Sequence, residues 1–163
     1  MRDRSVHGTV PSEQKNSEGS HISLSSVLVV EDDPVIRVGL EIALDDAGCE
    51  SLQSVCCYQD ALAAINADAF DYCILDLDLG NTFSGAFLNE PEGKRLLAVL
   101  KSRGVSTVVY SGILGEQGRI LDIDPSAITI DKTEPAEIVI ETLSRMPRGM
   151  SAPAASRSVA DTP

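Results

Sequence analysis

The chain has 163 residues, a net charge of −12 and 43% hydrophobic residues, with Trp absent and aromatics at 4%. That length suits one domain rather than two, around an aliphatic core of Val, Ile, Leu and Ala. No apolar run approaches the roughly 20 residues a bilayer span needs, and the polar N-terminus has no secretory signal, so a cytoplasmic location is expected. Residues 23 to 144 hold 7 basic and 21 acidic residues. Such a surface repels a phosphate backbone and argues against direct nucleic-acid binding.

Residues 1–22 are polar, without apolar period, and read as a disordered tail. Ser26–Glu31 is a short β-branched run of the kind that forms a strand buried on both faces. Asp33-Pro34 then opens a helix, Asp as N-cap and Pro at the first helical position. Val35, Ile36, Val38, Leu40, Ile42 and Ala43 give it a broad apolar face, and Gly48 stops it. Ser51–Cys57 is a weaker second strand, Tyr58–Ala67 a second helix and Tyr72–Leu77 a third strand. Glu92–Arg103 is a third helix and Ser106–Tyr110 a fourth strand. Gln117–Asp122 has the pattern of a short helix, and Ala127–Ile130 of a fifth strand. Glu134–Arg145 is the last helix, with Thr133 its expected N-cap and Pro135 in its first turn. Residues 146–163 are small, polar and Pro-containing, and read as a second disordered tail, so one domain spans 23–145.

Cys49, Cys56, Cys57 and Cys73 form no CxxC pair and match no zinc pattern. They are expected to be reduced core residues, and only the adjacent Cys56–Cys57 pair invites a redox reading.

Strand and helix alternating five times is the pattern of an open parallel sheet with helices on both faces, whose site lies at the carboxyl ends of the strands. The polar residues gather at those ends. Glu31-Asp32-Asp33 closes the first strand, Asp76-Leu77-Asp78 the third, Ser111-Gly112 the fourth and Asp131-Lys132 the fifth. Crowded carboxylates repel one another and suit a hard divalent cation such as Mg²⁺. Asp76 beside it could attack phosphorus, with Lys132 and Ser111 meeting the oxygens of the transferred group. Taken singly, each piece has an ordinary reading: Asp33 as a helix cap, Lys132 as a solvated lysine, Ser111-Gly112 as a turn. Their joint occurrence in this order is much harder to obtain by chance.

VLVVEDDPVIR, YCILDLDLG, TVVYSG and ITIDK together resemble the receiver domains of two-component response regulators, over residues 25–145. The resemblance implies a flavodoxin-like, doubly wound (βα)5 fold, its five parallel strands in the order 2-1-3-4-5. It implies Asp76 as phosphoacceptor, Ser111 as hydroxyl switch, Lys132 as the family's lysine and Glu31 with Asp32 as the acidic pair. It also implies Mg²⁺ held by Asp32, Asp76 and the backbone carbonyl of Asp78, with Glu31 acting through water. Its phosphoryl donor would be a histidine kinase or a phosphotransfer protein, and it would signal by protein contact as a stand-alone receiver, not as an enzyme.

The chain departs from the family pattern in several places. Gly80 replaces the usual proline four positions after the phosphoacceptor, and the Asn81–Pro91 connection, with Phe83 and Phe87, is long. Thr129 stands where an aromatic switch residue is usual, Thr133 follows the lysine, and Gly115 and Gly118 fall in the short fourth helix. The signal is therefore expected to leave through the Asn81–Pro91 loop and the fourth-helix region. Two other readings compete. One is a receiver-like interaction module that works without phosphorylation. The other is a haloacid-dehalogenase-like phosphatase, because Asp76-Leu77-Asp78 resembles its DxD nucleophile motif. Against the phosphatase, the acidic pair lies upstream at Glu31-Asp32, and no further acidic motif of the required kind follows Lys132.

Overall fold

The computed structural model describes residues 24–79, 92–112, 120 and 122–150. Five strands form one parallel sheet: β1 (Val27–Val30), β2 (Leu52–Val55), β3 (Tyr72–Leu75), β4 (Ser106–Ser111) and β5 (Ile128–Asp131). Their order is β2-β1-β3-β4-β5. Val27 lies opposite both Leu52 and Tyr72, and Tyr72 opposite Ser106, so the strands start level and their carboxyl ends make one edge. The continuously apolar β1 and β3 are wholly buried, whereas β2 and β5, on the outside of the sheet, are mostly half-exposed.

Described helices cover both faces: α1 (Pro34–Asp46), α2 (Tyr58–Ala67), α3 (Glu92–Ser102) and α4 (Ala136–Arg145). Alternation along β1 divides the core in two. Leu28 and Val30 face α2 and α3, against Ala61, Leu96, Leu97 and Leu100. Val27 and Val29 face α1 and α4, against Leu40, Leu44, Val139 and Leu143. Among the described residues, no helix is long and apolar enough to cross a membrane.

Local chemistry sets the ends of α1. Asp33 Oδ1 accepts the amides of Val35 (2.8 Å) and Ile36 (3.3 Å), and Pro34 follows. Gly48, at φ 75°, turns the chain out in the left-handed region that a side chain resists.

Four expectations need correction. First, the broad apolar face of α1 is not all core. Leu40 and Leu44 are buried, but Val35, Val38 and Ile42 remain 79%, 48% and 58% exposed, because the sheet covers only one stripe of the helix. Second, Thr133 does not cap the last helix. Its amide donates to Asp131 Oδ1 (2.8 Å), tightening the turn after β5, and the helix starts two residues later behind Pro135. Third, only Cys73 is a core cysteine; Cys56 is exposed and Cys49 and Cys57 are half-buried, all four thiols being free. Fourth, residue 146 does not open a loose tail. Met146 is buried, Ser106 Oγ donates to the Pro147 carbonyl (2.6 Å), and the Met150 amide donates to the Gly104 carbonyl (3.0 Å). Arg148 Nε meets Asp71 Oδ1 at 2.9 Å. These contacts hold residues 146–150 against the amino-terminal edge of the sheet.

The Asn81–Pro91 loop, Gly115 and Gly118 lie outside the described residues. Of the expected short helix, Ile120 is buried and its carbonyl accepts the Asp124 amide at 2.8 Å, closing one turn.

Candidate functional site

The carboxyl edge of the sheet brings together residues far apart in sequence. Glu31 leaves β1 and Asp76 leaves β3, both buried. Asp32, half-buried, lies beside them, and one carboxylate oxygen from each of the three falls within 4.8 Å of the others. Asp33 is turned away as the cap of α1, so the acidic run after β1 splits its tasks. Asp78 is exposed; its amide donates to Asp76 Oδ1 at 3.2 Å, which orients that carboxylate. Its own carboxylate is not one of the three grouped oxygens, and the role implied by the resemblance concerns its backbone carbonyl.

Lys132 arrives from the end of β5 and bridges two of the acids. Its Nζ lies 2.8 Å from Asp76 Oδ2 and 2.9 Å from Glu31 Oε1. Burial alone would lower the ammonium's pKa, but the hydrogen bonds to Asp76 and Glu31 outweigh it and hold the pKa above its ordinary value. Glu31 moves up as well. Burial is the main cause and the nearby Asp76 charge adds to it, against the lowering effect of Lys132 and of the Asp33 amide. Among the described residues, Lys132 thus pairs with two of the three grouped carboxylates.

Ser111 ends β4 opposite Asp131, with the Lys132 amide on its carbonyl (3.4 Å). Its hydroxyl is buried and has no hydrogen-bond partner among the described residues. A buried donor without an acceptor is unusual and points to a ligand that supplies one.

Two residues support this arrangement that sequence reasoning missed. Gly93 lies in the first turn of α3, where a Cβ would come within 2.4 Å of Leu77 Cα and 2.7 Å of the Asp76 carbonyl oxygen. The helix can seat on the exit of β3 only because that residue has no side chain. A glycine inside a helical pattern was the available signal, but it does not say what approaches. Tyr110, buried beside Ser111 in β4, donates its hydroxyl to the Glu134 carbonyl (2.5 Å), with the Lys132 carbonyl 3.3 Å away. It clasps the turn that carries Lys132. Burial, as the main cause, raises its pKa, so it remains a donor at neutral pH.

The pocket suits a hard cation: three carboxylates, with no sulfur or nitrogen ligand in the group.

Comparison with known proteins agrees with this geometry. The family model of the response regulator receiver domain matches residues 27–109, just over half of the chain. The chain belongs to the receiver domains of two-component response regulators. A search of curated proteins finds no significant match. Among solved structures, a CheY-like receiver domain protein from Methanospirillum hungatei JF-1 superposes with a TM-score of 0.61 at 22% identity, covering 74% of this chain and 91% of that one. The receiver domain of NtrX from Brucella abortus gives 0.59 at 28% identity, covering 74% and 96%. A Burkholderia pseudomallei response regulator, solved with a phosphorylated aspartic acid, calcium ion and citrate, gives 0.59 at 21% identity, covering 72% and 65%. Receiver domains typically bind Mg²⁺ in an acidic pocket, and this chain has such a pocket at Glu31, Asp32 and Asp76.

Proposed function

We propose that this domain accepts a phosphoryl group on Asp76 from the phosphohistidine of a histidine kinase or a phosphotransfer protein, and then signals by protein contact rather than by turnover. The observation that carries this reading is the unpartnered Ser111 hydroxyl on the same sheet edge as the Lys132–Asp76 pair. A nucleophile, a cation and an unused donor together match what phosphoryl transfer requires, which is mainly positioning and charge stabilisation.

In this scheme a carboxylate oxygen of Asp76 forms the new bond to phosphorus. The phosphorus–nitrogen bond of the donor histidine breaks, and its electron pair returns to the imidazole. Lys132, released from its bridge, holds one oxygen of the transferred group, and Ser111 donates to another. The Asp78 amide keeps Asp76 oriented. Asp32, Asp76 and the Asp78 carbonyl would hold Mg²⁺, with Glu31 acting through water, as the family resemblance implies. The bound ion supplies charge neutralisation between the acids and the incoming group. Such a reaction belongs in the cytoplasm.

The test is incubation of the full chain with acetyl phosphate and Mg²⁺, followed by intact mass. One acid-labile, hydroxylamine-sensitive phosphoryl group is expected on the wild type and none on Asp76→Asn. A wild type that gains none overturns the reading and favours the phosphorylation-independent module. Continuous hydrolysis of a small phosphate ester would favour the phosphatase.

A further inference from the structure

The junction of β2 and α2 carries a second group of metal-ligating atoms, which phosphoryl transfer does not use. Cys56 and Cys57 follow β2 directly, and Asp60 lies in the first turn of α2. One ligand atom from each, two sulfurs and a carboxylate oxygen, falls within 4.8 Å of the others. The helix start explains the convergence. Cys57 is the N-cap, in extended conformation, and Asp60 is the third helical residue, the position from which a side chain turns back toward the cap. The Cys57 thiol makes no capping hydrogen bond, both thiols are free, and Cys56 is exposed. A cavity of about 530 Å³ adjoins the group, lined in part by Cys56, Asp60, Arg37 and Ser54. The Ser54 hydroxyl is buried without a hydrogen-bond partner among the described residues.

We propose that Cys56, Cys57 and Asp60 form a binding site for a thiophilic divalent cation of the zinc class. Two sulfurs and one carboxylate oxygen suit a borderline cation and not Mg²⁺, for which the all-oxygen group at Glu31, Asp32 and Asp76 is the better match. Three protein ligands leave the fourth position of a tetrahedron open, and the cavity gives water or a small ligand access to it. Each thiol coordinates as the thiolate and releases its proton to the buffer. The two groups are neighbours through the backbone. The carbonyl of Val55, the residue before Cys56, accepts the Glu31 amide at 3.1 Å. Arg37, which lines the cavity, donates from Nη1 to the Glu31 carbonyl at 2.7 Å. An ion at the thiol site therefore braces the turn beside the acidic pocket without sharing a ligand with it.

The experiment titrates the reduced, metal-free full chain with Cd²⁺ in excess Mg²⁺, following thiolate-to-metal charge transfer in the ultraviolet. One equivalent is expected to saturate the band. Changing both Cys56→Ser and Cys57→Ser is expected to abolish it, and Asp60→Asn to weaken binding at least ~10-fold. Asp76→Asn is expected to leave it intact, so the outcome is independent of the phosphoryl-transfer reading. Circular dichroism confirms that each variant is folded. Absence of the band in the wild type overturns the proposal, as does its survival in the double cysteine variant. Saturation at one ion per two chains, or full affinity in Asp60→Asn, equally overturns the single-chain site as drawn.

Discussion

The two edges of the sheet treat carboxylates in opposite ways. At the amino edge, Asp71 is matched: Arg148 pairs with one of its oxygens and the Ser25 hydroxyl donates to the other. Burial acts most strongly on Asp71 and pushes its pKa up, but those two partners together outweigh it and hold the carboxyl below its ordinary value. At the carboxyl edge, Glu31, Asp32 and Asp76 crowd together, Lys132 bridging the first and the last, and burial drives Glu31 upward. The first edge is finished by the chain itself. The second keeps, among the described residues, a buried Ser111 hydroxyl with no acceptor. Stability and function thus sit at opposite ends of the same four-residue strand, β3.

Removing the cation from each edge sharpens the contrast most. Lys132→Ala leaves two buried carboxylates, each 2% exposed, without their partner. The lysine side chain is itself 19% exposed, which places the expected loss at or just below the low end for a broken buried pair, about 2–3 kcal/mol in the metal-free protein. Urea unfolding with and without Mg²⁺ checks this: the ion is expected to restore more stability to the variant than it adds to the wild type. An unchanged midpoint would mean that the bridge contributes nothing net.

Gly93→Ala comes next. The added Cβ meets backbone, which cannot swing away, so a loss of about 2 kcal/mol is expected. The shift also displaces Asp76, so phosphoryl gain from acetyl phosphate is expected to slow even where the variant remains folded.

The pH response should differ in sign between the edges. Glu31 has a raised pKa in the fold, so its contribution to metal-free stability is full below pH 4.5 and is lost as pH rises through the folded value. Asp71 has a lowered pKa, so its contribution is present above pH 3.8 and is lost as pH falls through the folded value. Glu31 also takes up its proton at a higher pH than a free glutamate. Mg²⁺ affinity by calorimetry is therefore expected to fall on acidification while the pH is still above 4.5, and Glu31→Gln to remove that part of the slope. The smallest effect is expected for Arg148→Ala. That side chain is 67% exposed and water replaces it readily, so thermal melts should show a slight loss that high salt erases.

Much of this was legible in the sequence because it depends on local pattern. Continuous β-branched runs gave β1 and β3, Asp33-Pro34 gave the start of α1, alternation gave the parallel sheet, and the family resemblance implied its strand order. The convergence of Glu31, Asp32, Asp76 and Lys132 followed from strands that end on one edge. What stayed hidden depends on partners distant in the chain. Helical periodicity marked Val35, Val38 and Ile42 as apolar but could not say that the sheet stops short of them. Thr133 was a sound N-cap by type, yet its side chain as well as its amide turns back to Asp131. The small, polar and Pro-containing composition of 146–163 as a whole concealed that residues 146–150 are held by Asp71, Gly104 and Ser106. Gly93 and Tyr110 act through contacts with backbone that no motif records.

Asp71 joins Ser25 to Arg148, so the chain enters the described fold at Leu24 and leaves it at Met150 beside the same carboxylate. Asp76 lies five residues further along β3, about 16 Å away at the usual rise of a strand. A dye, affinity handle or surface tether attached at the exposed Met150 is therefore held at the far side of the sheet. Partner binding to the acidic pocket can be measured on immobilised protein without the anchor blocking its approach.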